Sequence, residues 1–326
     1  MKEGKIIHFY KNRKIFFAIS AAIMIIGILF SIFKGVVLDI QFTGGALLSY
    51  SYDGEIDENR AGDIATDILG RPVTPQLTES ISEGTKKLVL NIAGKSGVDP
   101  LDQAELEKAL KAEFPQANLE LSEAQMVEKF FGDKFMKRGI TALLLSTALV
   151  LVYVWIRFKI VDGLAAGVTA IIALLHDCLV VFFTCVIFGL PIGDNFVAVA
   201  LSIIGYSIND TIVIYDRIRE NAKLYSGYEV ETIADLSITQ SMTRSIMTNL
   251  CVMISVSLVY ILAFANSIES VQSFALPMAI GSISGCYSTI CISGPLWVMW
   301  KKKKGENIIT VEKKEEKKDT KAKRYY

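Results

Sequence analysis

Cysteine is scarce in this 326-residue chain and poorly placed for cross-linking. Cys178, Cys185, Cys251, Cys286 and Cys291 all fall in apolar runs, and none lies in the long polar stretch between the first two runs. With no CxxC and no Cys/His cluster, neither a disulfide framework nor a metal site is indicated, so cysteine reads as a small apolar packing residue. An excess of one charge is lacking too. The 34 basic residues balance 34 acidic ones, which suggests neither a nucleic-acid binder nor an acidic scavenger. HExxH, Walker and nucleophile–base motifs are absent. Thr43-Gly44-Gly45 follows a strand-like run without the remaining residues of a phosphate loop, so it reads as a turn or bulge. The chain is therefore not expected to be an enzyme or to carry a cofactor.

Long apolar runs are what the sequence has in abundance. Residues 15–33, 136–156, 163–188, 196–215, 244–264 and 274–300 each reach the length of a spanning helix. The first has a basic flank, Lys2, Lys5, Lys11, Arg13 and Lys14, and no convincing cleavage site after it, so it reads as a retained helix with a cytoplasmic N-terminus. Arg157 and Lys159, then Arg217, Arg219 and Lys223, then Lys301 to Lys304 mark the later cytoplasmic turns. Trp297 and Trp300 fit an interfacial aromatic belt. Six spans with both termini inside satisfy every loop charge.

Residues 34–137 separate the first two spans and are numerous enough for a core of their own. Strand is expected at 36–52 with a break at 43–45, helix at 57–69, strands at 74–78 and 86–92 joined through Ser82-Glu83-Gly84, helix at 99–114 capped by Asp99, and strand at 118–121. The order β-α-β-β-α-β suggests a ferredoxin-like sheet. The predicted architecture is a polytopic α-helical membrane protein with six transmembrane helices and an α+β (ferredoxin-like) extracytoplasmic domain between helices 1 and 2. Its segments are a cytoplasmic start at 1–14, helix 1 at 15–33, the domain at 34–137, bundle helices 2–6 at 138–300 and a disordered cytoplasmic tail at 301–326. A solvated tail and a partner- or lipid-binding tail are both compatible with that last composition.

The chemistry-bearing residues are those that a bilayer penalises. A carboxylate in a hydrocarbon span costs about 2.5–3.5 kcal/mol on insertion scales. Asp210 sits in the cytoplasmic half of the fourth span, and Arg244 opens the antiparallel fifth at similar depth. The two could form a proton-gated ion pair, or Asp210 could cap a helix end while Arg244 snorkels to the interface. Ser202, Tyr206, Asn209 and Val213 recur at helical spacing and make a mostly polar stripe beside Asp210. His176 and Asp177 lie deep in the third span, as a proton-relay element or a structural hydrogen-bond cluster. Gly163/Gly167 and Gly281/Gly285 permit close helix crossings.

The run Tyr206-Ser207-Ile208-Asn209-Asp210-Thr211-Ile212-Val213-Ile214-Tyr215-Asp216-Arg217-Ile218-Arg219-Glu220 resembles the fourth-span signature of the SecD/SecF family. Asp39-Ile40-Gln41-Phe42-Thr43-Gly44-Gly45 is similar to the family's Asp-Phe-x-Gly-Gly signature, with Asp39, Phe42, Gly44 and Gly45 as its marks. His176-Asp177 and the stretch from Arg244 to Thr248 stand where the family has its third- and fifth-span motifs. The resemblance covers about residues 10–300 and implies a member of the RND-type transporter superfamily. It also implies a SecD-like partner subunit, action on the SecYEG channel, unfolded preprotein as cargo, contact with membrane lipids, no nucleic acid, and use of the proton motive force for export. Under it, Asp210 and Arg244 take the proton-transport roles, with Asn209 beside them. The chain departs from the family at 127–135, which keeps Gly132 but lacks a following proline, and position 41 is a glutamine that the pattern does not explain. Two rivals remain at this stage: half of a proton-coupled exporter of a lipid or small hydrophobic molecule, and a scaffold that transports nothing.

Overall fold

In a bilayer a spanning segment must pair its own backbone polar groups, which a helix does within one run. The computed structural model describes residues 6–79, 86–94, 97–127, 129–266 and 268–309, and within them six helices are long and apolar enough to cross a membrane. The first is α1 (Arg13–Lys34). A four-residue helix, α2 (Ile40–Thr43), leads into β1 (Gly45–Tyr52), α3 (Glu58–Leu69), β2 (Val73–Glu79), β3 (Lys86–Ala93), α4 (Pro100–Glu113) and β4 (Glu120–Val127). The remaining spans are α5 (Lys129–Arg157), α6 (Gly163–Phe188), α7 (Asp194–Leu224), α8 (Val230–Ala265) and a composite sixth. In that last one α9 (Glu269–Ser288) passes through a π turn, Thr289–Ser293, into α10 (Gly294–Lys303).

The soluble part is a four-stranded antiparallel sheet of order β2-β3-β1-β4. Alternation decides its buried face. Ala46, Leu48, Tyr50 and Tyr52 of β1 and Leu88, Leu90 and Ile92 of β3 pack with Ala61 and Ala65 of α3 and Leu106 and Leu110 of α4. Asp57 caps α3 through the amides of Asn59 and Arg60, and Gly70 ends it in the left-handed region. The expected turn at Ser82-Glu83-Gly84 lies outside the described residues.

Several expectations need correction. Residues 36–42 are not strand. Asp39 instead caps α2 by accepting from the Gln41 amide, and the strand begins only at Gly45. The fourth and fifth spans continue as helix beyond the expected bounds of 215 and 244 and meet in a short turn, because Ile218, Ala222, Ile233, Ala234 and Ile238 keep a buried face beyond the apolar runs. Trp297 is no belt residue: it is fully buried and its indole donates to Val161 O at 3.0 Å. Residues 301–309 are structured. Lys301 pairs with Glu306 and Lys302 with Glu231, while Val230 N donates to Asn307 O and Ile309 N to Tyr228 O. The tail from 310 onward lies outside the described residues.

Small residues set the helix crossings. A Cβ on Gly163 would lie 2.2 Å from Trp155 O, one on Gly167 2.9 Å from Leu151 Cδ1, and one on Gly281 2.7 Å from Val181 Cγ2. These glycines let α5 and α9 approach α6 closely.

Candidate functional site

Helix α7 is the axis of the site, and its period sends neighbouring polar residues to different helices. Asp210 is buried and faces α8, where Ser245 Oγ donates to its Oδ1 at 2.5 Å. Its Oδ2 is buried and has no hydrogen-bond partner among the described residues. Asn249 lies one turn along α8; its amide nitrogen donates to Ser245 O at 3.0 Å, and its own Oδ1 is likewise buried and unpartnered.

The ion pair between Asp210 and Arg244 is not formed. Ser245 occupies the inward position on α8, so its predecessor Arg244 is rotated about 100° away and stands exposed. Arg244 stands instead on the exposed side of α8. It lines a cleft of about 780 Å³ between α7 and α8, together with Asn209, Asp216, Arg217 and Lys223. Asn209 is exposed there. The polar stripe is also displaced from its expected place: Ser202 and Asn209 are exposed and Tyr206 half-buried, so the stripe faces away from the bundle's interior.

On its opposite side α7 meets α6 and α9. Asp177 is fully buried and accepts three hydroxyl hydrogen bonds, from Ser207 at 2.8 Å, Ser284 at 2.7 Å and Ser288 at 2.7 Å. His176 Nδ1 lies 3.3 Å from Asp177 Oδ1, and its Nε2 is buried without a partner. The two adjacent residues therefore share one cluster, although a helix points them apart. Further along α7, Thr211 meets Thr289 at 3.1 Å, and the Tyr215 hydroxyl meets Thr169 at 2.6 Å and Ser293 Oγ at 3.0 Å. A continuous buried polar seam thus runs along α7 beneath its charged end. That end is tied down by Arg157 and Arg219 on Asp216, at 2.8 and 2.9 Å, and by Arg217 on Gln240 and Glu220.

The other signature forms a joint rather than a pocket. The backbone of residues 37–39 pairs with the turn between α6 and α7: Asp39 N donates to Ile192 O at 3.1 Å and Ile192 N to Val37 O at 2.9 Å. Gln41, with its amide nitrogen turned toward α7, reaches both Asp194 oxygens at 3.0 Å. Phe42 is buried, and a Cβ on Gly132 would lie 2.8 Å from Phe42 O and 3.0 Å from Gly44 N, so the start of α5 seats under the same turn. Gly45, at φ +139°, brings its Cα so near β3 that a Cβ would stand 2.1 Å from Ile92 O. Burial raises the Asp39 carboxyl above its ordinary value; the Gln41 amide opposes this and the Asp194 charge adds to it. Sequence reasoning missed Ser245, Ser284 and Ser288 as carboxylate partners and had no role for Gln41. Serines in apolar runs carried the only available signal.

These features define a class: a six-span membrane protein with buried intramembrane carboxylates and a soluble α+β domain joined to the bundle. Residues 106–303 match the family described as protein export membrane protein SecD/SecF, C-terminal. Protein translocase subunit SecF of Alicyclobacillus acidocaldarius is 32% identical over 289 residues, 88% of this chain and 90% of that one. Its counterpart in Synechocystis sp. is 32% identical over 275 residues, covering 81% and 82%. The crystal structure of SecDF, a translocon-associated membrane protein from Thermus thermophilus, superposes with a TM-score of 0.77 at 24% identity. It covers 93% of this chain, which spans 40% of the Thermus protein's length. The chain belongs to the SecD/SecF family.

Proposed function

We propose that the chain is one half of a protein-export motor in the plasma membrane. It would pair with a SecD-like subunit, act beside the SecYEG channel on unfolded preprotein, and be driven by the proton motive force. The observation that carries this reading is Asp210, a buried carboxylate in a spanning helix with one oxygen partnered by Ser245 and the other by none of the described residues. Such a group is a natural acceptor for a transported proton. Moving one charge down 100 mV supplies about 2.3 kcal/mol, and a change of that size biases a two-state element of a few kcal/mol.

The transmission is mechanical. Protonation of Asp210 weakens its hold on Ser245 and so resets α7 against α8. The outer end of α7 is bonded through Asp194 and the preceding turn to Gln41 and Asp39. A shift of α7 is thereby delivered to the soluble domain; the basic turns support an extracytoplasmic side for that domain and a cytoplasmic one for both termini. The β-α-β-β-α-β order with strand order β2-β3-β1-β4 supports the ferredoxin-like reading of that domain. Export of a small hydrophobic molecule would call for an apolar pocket in this domain, whose sheet and helices are instead packed face to face by Leu48, Tyr50, Leu90 and Leu106.

The stripe of Ser202 and Asn209, both exposed, with Tyr206 half-buried between them, supports a partner half, because polar groups on a spanning helix are disfavoured against lipid. Membrane lipids would surround the remaining apolar faces of α1, α5 and α8. In cells depleted of their own copy, Asp210→Asn is expected to leave secretory precursors unprocessed while still co-purifying with the partner. Normal processing in that variant would sink the reading.

A further inference from the structure

Two buried acceptor oxygens flank Ser245, and neither has a hydrogen-bond partner among the described residues. One is Oδ2 of Asp210, a residue 8% exposed whose other oxygen is held by the Ser245 hydroxyl. The other is Oδ1 of Asn249, also 8% exposed, whose amide nitrogen donates to Ser245 O at 3.0 Å. That carbonyl can only accept, so it fixes which end of the Asn249 amide is nitrogen and which is oxygen. Leaving a buried acceptor unpaired costs about 1–3 kcal/mol. Both atoms are already buried within the single chain, so a donor carried by another subunit does not reach them.

Water is the donor that fits. It brings two O–H groups to two acceptors, and buried water occurs where otherwise unsatisfied polar groups meet. Asn249 stands four residues beyond Ser245, about 6 Å along the helix. A water with two hydrogen bonds of about 2.8 Å spans a separation of that order. The two sides of this pair differ. Toward the charged turn, the cleft between α7 and α8 reaches Asn209 and Arg244, the immediate predecessors of Asp210 and Ser245, and has the buried Ser241 on its wall. Away from that turn, Val199 and Ile203 of α7 pack with Val181, Met278 and Val256. Asp210 therefore has an open approach on one side and an apolar barrier on the other.

We infer that Asn249 is a positioning residue of the proton path: its Oδ1 holds a water molecule whose other O–H is donated to Asp210 Oδ2. A proton that reaches this water from the barrier side makes it hydronium. Transfer to Oδ2 forms the carboxylic acid and leaves a neutral water, still held by Asn249. The proton is later released from Oδ2 into the cleft, which restores the carboxylate. The relay rests on the proposed coupling at Asp210; the water site itself does not.

The experiment has two arms. Infrared difference spectra of the full chain in lipid nanodiscs, acid minus neutral, are recorded in ordinary water and in H₂¹⁸O. An internal O–H band that shifts with the heavier oxygen is expected in the wild type and in Asn249→Ser, which keeps an acceptor. It should be absent from Asp210→Asn and from Asn249→Leu, or from Asn249→Ala if the leucine variant does not fold. In the second arm, preprotein translocation under an H⁺ gradient is measured with the partner and channel reconstituted. Asn249→Leu should lower it about tenfold, and Asn249→Ser should restore most of it. The inference is overturned by a wild type without the band, by a band that survives in Asn249→Leu and Asn249→Ala, or by wild-type translocation in those two variants. Wild-type translocation in Asp210→Asn, with the band behaving as expected, would instead remove the coupling reading and uphold the water site.

Discussion

Among the described residues Ser245 makes the one side-chain hydrogen bond to the Asp210 carboxylate, and its contribution can be measured. A hydrogen bond to a charged group contributes about 1.5–3 kcal/mol. Ser245→Ala should therefore reduce ion-driven export by roughly tenfold or more, with Ser245→Thr restoring most of it; unchanged export in the alanine variant would remove Ser245 from the cycle. At the joint, the raised Asp39 carboxyl gives a definite sign. Its folded form holds a proton above the ordinary value of 3.8, so its contribution to stability declines as pH rises from there through the folded value. Asp39→Asn keeps an oxygen for the Gln41 amide and should flatten that decline in thermal scans across pH.

Asp162 behaves in the opposite sense. Burial pushes its carboxyl upward, but the Lys304 hydrogen bond at 2.7 Å, the Ala165 amide and the charges of Lys304 and Lys301 together bring it below the ordinary value. Its stabilisation is present above the unfolded value and lost as pH falls through the folded one. Asp162 also caps α6 from the left-handed region at φ 62°. Asp162→Asn keeps the cap and tolerates that backbone, whereas Asp162→Ala loses cap and pair together. The alanine variant should melt lower by an amount corresponding to about 1–2 kcal/mol more.

Among the elements, α7 carries most of the consequence. Its signature was readable because carboxylates in an apolar run are rare and expensive. Its partners were not, because helical periodicity gives a face but no rotation relative to a neighbour. That is why Arg244 looked like the match for Asp210 while Ser245, one residue on, holds it. The joint was harder still. Residues 36–42 looked like a strand because Ile40 and Phe42 alternate, yet the Asp39 cap makes them a helical turn, and two glycines at positive φ fall in the expected break. By contrast, the order of the soluble domain's strands and helices was legible from alternation and helical periodicity, although Asp99, the expected cap of α4, makes no side-chain capping bond. Gly45→Ala should cost about 1–3 kcal/mol or more through backbone strain and contact with Ile92 O, seen as faster amide exchange in β1 and β3. Equal exchange would show that the close approach is not needed.

At the scale of the whole molecule, the apolar runs gave the number of spans, and the charged turns gave their expected orientation. How the subunit meets another could not be read from composition, since a polar stripe on one helix fits either an interior or a partnered face. Ser202 and Asn209 proved exposed, and Gly205 between them has no neighbour within 4 Å of a built Cβ. Gly205→Trp should leave the isolated chain's melting temperature unchanged yet prevent co-purification with a SecD-like subunit. Intact pairing in that variant would move the interface elsewhere.

The central claim is that charge movement through Asp210 drives export. Its most direct measure is preprotein translocation by the chain reconstituted with its partner and channel, under imposed H⁺ and Na⁺ gradients applied separately. The account predicts that a gradient stimulates the wild type and that Asp210→Asn assembles normally but shows no stimulation. Equal stimulation of Asp210→Asn would contradict it.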